Sequence, residues 1–262
     1  MFEELLEDIA QKNGLREVNT YLKLAAGLGA ILLCLISTSY IAPLFIAFLL
    51  TGAVLILARV DAGTCAELFF VPLGFAIMSI AGIILITGGH DVFWRMDLLN
   101  GFTLSITRES INQGVFVLCR VIGGMSAMFF IALTTPMTDI FVVLRQCRVP
   151  DAVTDLMMII YRTIFILIDQ VVQIYQAQVM RLGYSTYRES LHSFASLCGA
   201  AFIASWDAGD DLIRAMDARC YDGKFALLGE NRPLERIPCL AVAAFLMLSA
   251  AVVIGSGTMT LV

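Results

Sequence analysis

The sequence predicts an all-α, polytopic helical membrane protein with about five transmembrane helices, plus a set of long helices too polar to lie in lipid throughout. Three observations carry this. Of 262 residues, 59% are hydrophobic and 15% charged, against about 45–50% and about 25% in an ordinary soluble domain. The mean hydropathy is +0.86. Long uncharged runs recur, each near the roughly 20 apolar residues that one helix needs to cross a bilayer. Seventeen Lys and Arg with 22 Asp and Glu cannot cover the surface of a soluble protein this apolar. The composition also excludes disorder, collagen and coiled coil. A net charge of -5 leaves no basic surface for nucleic acid.

The first residues carry Glu3, Glu4, Glu7, Asp8 and Glu17 against Lys12, Arg16 and Lys23. A secretory leader starts basic and has a short apolar core, so no cleaved signal is expected. Residues 24–58 are uncharged, with Ser37, Thr38, Ser39 and Pro43 in the middle. They predict a hairpin of two short spans. Residues 68–89 predict a third span, 110–138 a fourth that contains Arg120, and 237–262 the last.

Orientation follows from the Lys and Arg of the connecting segments. With the N-terminus cytoplasmic, fourteen lie inside and two, Arg95 and Arg108, lie in the outside loop 90–109. The C-terminus is then outside. The chain divides into a membrane domain, 1–137, a cytoplasmic region, 138–236, and a C-terminal transmembrane helix, 237–262.

Within the cytoplasmic region, Pro136 and Pro150 bracket a short amphipathic helix, 138–149, with Ile140, Phe141, Val143 and Leu144 on its apolar face. A long helix follows from Asp151 to about Arg181, with Gly183 as its left-handed stop. Val153, Leu156, Ile160, Ile164, Leu167 and Val171 keep helical spacing. Asp155, Arg162, Asp169, Gln173 and Gln176 form the opposite stripe. A second long helix runs from about Arg188 to Arg219. It carries Ser196, Ala200, Ala204 and Ala208 at intervals of four, a pattern that permits a close helix crossing and is equally that of a good helix former.

Both long helices end in an arginine, Arg181 and Arg219. A cation there answers the helix dipole. Two long helices ending alike also suit two equivalent clefts, such as a dimeric partner offers.

The seven cysteines are odd in number and lack a Cys-x-x-Cys pair, and most sit in apolar runs, as buried thiols do. His90 and His192 stand far apart without a second ligand beside either. No metal site, catalytic group or cofactor is expected.

Leu133-Thr134-Thr135-Pro136, Tyr161-Arg162, Ala177-Gln178 to Gly183, and Met216 to Gly223 occur in this order. In these motifs nearly the whole chain resembles the transmembrane T component of energy-coupling-factor importers, most closely the cobalt-type CbiQ subfamily. In that family the coupling helices end in short Ala-Arg-Gly signatures. The second end here keeps Ala218-Arg219 but has Cys220 for glycine. The first keeps Arg181, between Met180 and Leu182.

The resemblance implies a non-catalytic coupling subunit of an ATP-driven importer for a transition-metal ion, cobalt by subfamily. Its partners would be two ABC-type ATPase subunits and a CbiM-like substrate-binding S component. Arg181, Gly183, Ala218 and Arg219 would form the ATPase-coupling ends. The same role for nickel, or a secondary transporter without ATPases, are the alternatives. No phosphate-binding loop ending in Gly-Lys-Ser/Thr occurs in the sequence.

Overall fold

The computed structural model describes residues 9–11, 13–86, 92–98, 102–221 and 235–256, with the backbone alone at 85–86, 92–98 and 102–106. Packing divides the chain into two units, residues 1–140 with 230–262, and residues 141–229.

In the first unit, the uncharged run after Lys23 forms the expected hairpin, α1 (Thr20–Ile36) and α2 (Ile41–Ile56). The Oδ1 of Asn19 starts α1 by accepting from the Tyr21 N–H at 2.9 Å. Helix α3 (Ala62–Ile86) begins before Leu68 and takes Glu67 and Pro72 into the helix. Helix α4 (Arg108–Thr134) opens on a capping box in which Thr107 and Ser110 each hold the other's backbone N–H. A C-terminal helix, Arg236–Gly255, is α8.

Helices α1, α2 and α3 pack on α4, and α8 packs on α1 and α2. The core is built from Ala26, Ala30 and Cys34 of α1, Ile46, Leu50 and Val54 of α2, and Ala127, Phe130 and Leu133 of α4. In lipid, burying apolar area gains little between helices, so close backbone approach must hold them together. Glycines supply it. A Cβ at Gly123 would lie 2.8 Å from Cys34 Sγ and 2.9 Å from the Pro43 carbonyl oxygen, and one at Gly27 would strike Ile131. The outward side chains are large and apolar, with Phe48 and Phe70 each 79% exposed. A lipid solvent explains that surface.

Among the described residues, four helices are long and apolar enough to cross a membrane: α3 over 62–84, α4, α8, and the long helix Asp151–Met180. Helices α1 and α2 are apolar but shorter, at 17 and 16 residues. At about 1.5 Å per residue, α1 spans only about 25 Å, less than the roughly 30 Å hydrocarbon core. The C-cap of α1, Ser37, is fully buried, so its carbonyl is out of reach of water. Arg120, in the middle of α4, donates from Nη2 to the Ser37 carbonyl at 2.7 Å and stacks on the Phe116 ring at 4.5 Å. Ser37 and Ser39 tie the rest of the turn together through Ser37 Oγ, which donates to the Ser39 carbonyl at 2.9 Å. The partner of this intramembrane arginine is a helix end.

The segment expected as an outside loop contains two strands, β1 (Val92–Leu98) and β2 (Phe102–Thr107), antiparallel with Leu98 opposite Phe102 and Trp94 opposite Ile106. Its β-branched and aromatic residues favour strands, and the helical class holds around it. His90 lies outside the described residues.

In the second unit, a short helix, α5 (Met137–Gln146), leads to α6 (Asp151–Met180) and α7 (Tyr187–Ala218). The division between the units falls inside α5. All seven cysteines are free thiols. Cys34, Cys65 and Cys119 are buried, whereas Cys147, Cys198, Cys220 and Cys239 are exposed, so only the first three act as core residues.

Candidate functional site

Arginine 145, near the end of α5, organises the entry to the long helices. Its Nε donates to Asp151 at 2.9 Å, and its Nη1 lies 4.0 Å from the buried Asp155. Phe141 meets Tyr161 edge-on at 5.8 Å, and Tyr161 meets Phe165 in the same way at 5.1 Å. The polar stripe expected on α6 is therefore divided. Asp155 is an internal partner, while Arg162, Asp169, Gln173 and Gln176 are exposed.

Helix α7 turns Ser193, Leu197, Ala200, Ala201, Ala204, Ser205, Ala208 and Gly209 inward, with Leu197 buried. Ala200, Ala204 and Ala208 of the small-residue stripe lie on this face. Ser196 does not; it is exposed, because a strict interval of four drifts around a helix of 3.6 residues per turn. Ala208 and Gly209 line a groove of about 270 Å³ with Ile160, Thr163, Ile164 and Leu167 of α6.

The two helix ends have one backbone design. In α6, Arg181 is the C-cap, Leu182 N–H bonds the Val179 carbonyl at 3.0 Å, and Gly183 N–H bonds the Gln178 carbonyl at 2.9 Å. In α7, Arg219 is the C-cap, Cys220 N–H bonds the Asp217 carbonyl at 3.1 Å, and Tyr221 N–H bonds the Met216 carbonyl at 3.1 Å. These paired bonds are the Schellman motif. The residue after each arginine is left-handed, Leu182 at φ 58° and Cys220 at φ 53°. That is the position at which a glycine signature makes sense.

The expected stop at Gly183 is corrected by one residue. Leu182 takes the left-handed conformation, and Gly183 serves a close approach instead. A Cβ there would lie 2.6 Å from Ser193 Oγ, which donates to the Gly183 carbonyl at 2.8 Å. Tyr184 Oη donates to Gln178 Oε1 at 2.8 Å and packs on Tyr175. The turn after α6 is thus fixed from both helices.

Arg181, Ala218 and Arg219 are exposed. Among the described residues, neither guanidinium has a hydrogen-bond or ion-pair partner. Met180 and Leu182 flank Arg181 at 85% and 74% exposure. Each arginine is thus a cation held outward by a rigid cap. Asp222 and Gly223, at the end of the second motif, lie outside the described residues.

Sequence reasoning missed what surrounds Leu133-Thr134-Thr135-Pro136. Lys23, counted as a loop cation, is buried and donates to the Thr134 carbonyl at 3.0 Å, and Asn13 donates to the Leu133 carbonyl at 3.0 Å. No local signal marks either residue, since their partners lie 111 and 120 residues along the chain.

These features define a multi-pass helical membrane protein in which two long helices end in matched, outward arginine caps. The profile of the CbiQ cobalt transport protein family matches residues 11–227, and the chain belongs to that family. It is 39% identical over 246 residues to a protein of Methanocorpusculum labreanum named as a fused cobalt transport protein, CbiMQ. That match covers 94% of this chain, which spans 41% of the fused protein's length. It is 24% identical over 158 residues to the cobalt transport protein CbiQ of Salmonella typhimurium, covering 60% of this chain and 70% of the relative. It is also 32% identical over 140 residues to the energy-coupling factor transporter transmembrane protein EcfT of Thermosediminibacter oceani, covering 49% and 51%.

Proposed function

We propose that this chain is the coupling subunit of an ATP-driven energy-coupling-factor importer for a transition-metal ion, cobalt in preference to nickel. Arg181 and Arg219 each enter a cleft on one of two ABC-type ATPase subunits. The observation that carries this reading is the pair of identical Schellman ends, each presenting an exposed guanidinium with no partner among the described residues. An arginine serving its own helix alone has no need of a twin in the same backbone frame.

The likeness to an EcfT protein supports the ATPase partners. The relative that carries CbiM and CbiQ names in one chain supports a CbiM-like S component as the membrane partner. The chain itself does no chemistry in this reading, and the power comes from the ATPases. The N-terminus and both arginine ends lie in the cytoplasm and the C-terminus lies outside. A secondary transporter would place ionisable groups at a mid-membrane site, but Arg120 is committed to the Ser37 carbonyl and the Phe116 ring.

The test is the amount of ATPase retained on the purified membrane subunit. Arg181→Glu and Arg219→Glu should each leave the protein folded and weaken ATPase binding by about 2 kcal/mol or more, the range of an interface hot spot. The double variant should lose the ATPases, because two-point attachment depends on both ends. Arg95→Glu is the control and should do little. Full retention by the double variant would reduce both residues to helix caps.

A further inference from the structure

The end of α4 is held by an N-terminal clamp that the family motif does not include. Leu133 and Thr134 are the last residues of α4, and both are fully buried. Their carbonyls have no intrahelical partner and lie where an open acceptor is costly. Asn13, 7% exposed, donates Nδ2 to Leu133 at 3.0 Å and to Ala10 at 2.8 Å. Lys23, 2% exposed, donates Nζ to Thr134 at 3.0 Å. A buried cation on the negative end of a helix is doubly favoured, by the hydrogen bond and by the dipole.

The same N-terminal segment reaches the next helix. Thr20 Oγ1 donates to Asp139 Oδ2 at 3.4 Å, and Asp139 N–H closes the turn onto the Pro136 carbonyl at 3.1 Å. The turn Thr135-Pro136 is thus bracketed by Asn13 and Lys23 on one side and by Thr20 on the other. Helix α5 starts immediately afterwards, and the chain leaves the first unit inside it, after Ile140. Beyond that point Phe141 and Arg145 fasten α5 within the second unit. The first turn of α5 is therefore tied into one unit and its remainder into the other.

We infer that Lys23 and Asn13 are positioning residues that hold the Thr135-Pro136 turn stiff, so that movement of the coupling helices reaches the membrane helices through α5. This rests on the coupling function proposed above. A slack turn would absorb that movement, and ATP would be hydrolysed without import.

The experiment uses the full complex, with its ATPases and substrate-binding membrane subunit, reconstituted in liposomes with Co²⁺ as the probe. Retained ATPase and Co²⁺ taken up per ATP hydrolysed are both measured. Lys23→Met should keep the ATPases bound and lower Co²⁺ uptake per ATP by about tenfold, the scale of one lost charged hydrogen bond. Lys23→Arg, which can still donate, should restore most of it. An assembled Lys23→Met complex with unchanged uptake per ATP would overturn the inference. Should that variant fail to assemble, Asn13→Ala decides, since it removes a neutral donor. It should lower the ratio by about threefold, and an unchanged ratio would refute the clamp. Failure of the coupling reading itself looks different, because the parent complex would then retain no ATPase.

Discussion

Arg181 and Arg219 occupy the same position in two copies of one backbone motif, each the C-cap of a long helix and each followed by a left-handed residue that is not glycine. The frame fixes the direction in which each arginine's Cβ leaves its helix. The neighbours differ, Met180 and Leu182 at one end and Ala218 and Cys220 at the other. The left-handed conformation puts Cβ against the following carbonyl, at roughly 1–2 kcal/mol for a residue other than glycine.

Leu182→Gly and Cys220→Gly should each therefore stabilise the purified protein, by about 0.5–1 kcal/mol once the added freedom of the unfolded glycine is set against the relieved strain. Thermal unfolding in detergent measures this. A lower Tm for both variants would mean that their side chains contribute more through contacts than the backbone loses.

The inward face of α7 makes a sharp contrast between two small residues in one stripe. Ala204 is half-buried and Ser196 is exposed. Ala204→Leu should overpack the crossing with α6 and cost about 1–3 kcal/mol, with reduced yield of the assembled complex. Ser196→Leu should be nearly silent. Equal effects from the two would place the contact face elsewhere on α7.

Arg120 gives a membrane-depth prediction. Arg120→Leu strands the Ser37 carbonyl with no donor in a low-dielectric site, a loss of about 1–3 kcal/mol. Arg120→Lys should recover part of it, since an ammonium can reach the same oxygen. Unfolding by a denaturing detergent, read by helical circular dichroism, separates the variants. An Arg120→Leu protein as stable as the parent would show that the α1 end needs no cap from α4.

The membrane class, the two long helices and their arginine ends were legible in the amino-acid sequence. Each is a sum over a window of neighbours: lipid partition over about 20 residues, or helical periodicity over a few turns. Even the hairpin of α1 and α2 followed from one run of uncharged residues broken by Ser37 to Ser39.

What the tertiary structure alone decided concerns partners far away in the chain. Lys23 reads as one more loop cation until it is found on the Thr134 carbonyl. Arg120 reads only as a charge inside a span until it is found on Ser37, 83 residues away. Gly183 reads as a left-handed stop, yet the backbone places that conformation at Leu182, and Gly183 makes room for Ser193 instead. A helix end or a buried cation must be satisfied by some group, and local pattern states that need without naming the group. Only the packing of α1, α4 and the N-terminal segment determines which donor arrives.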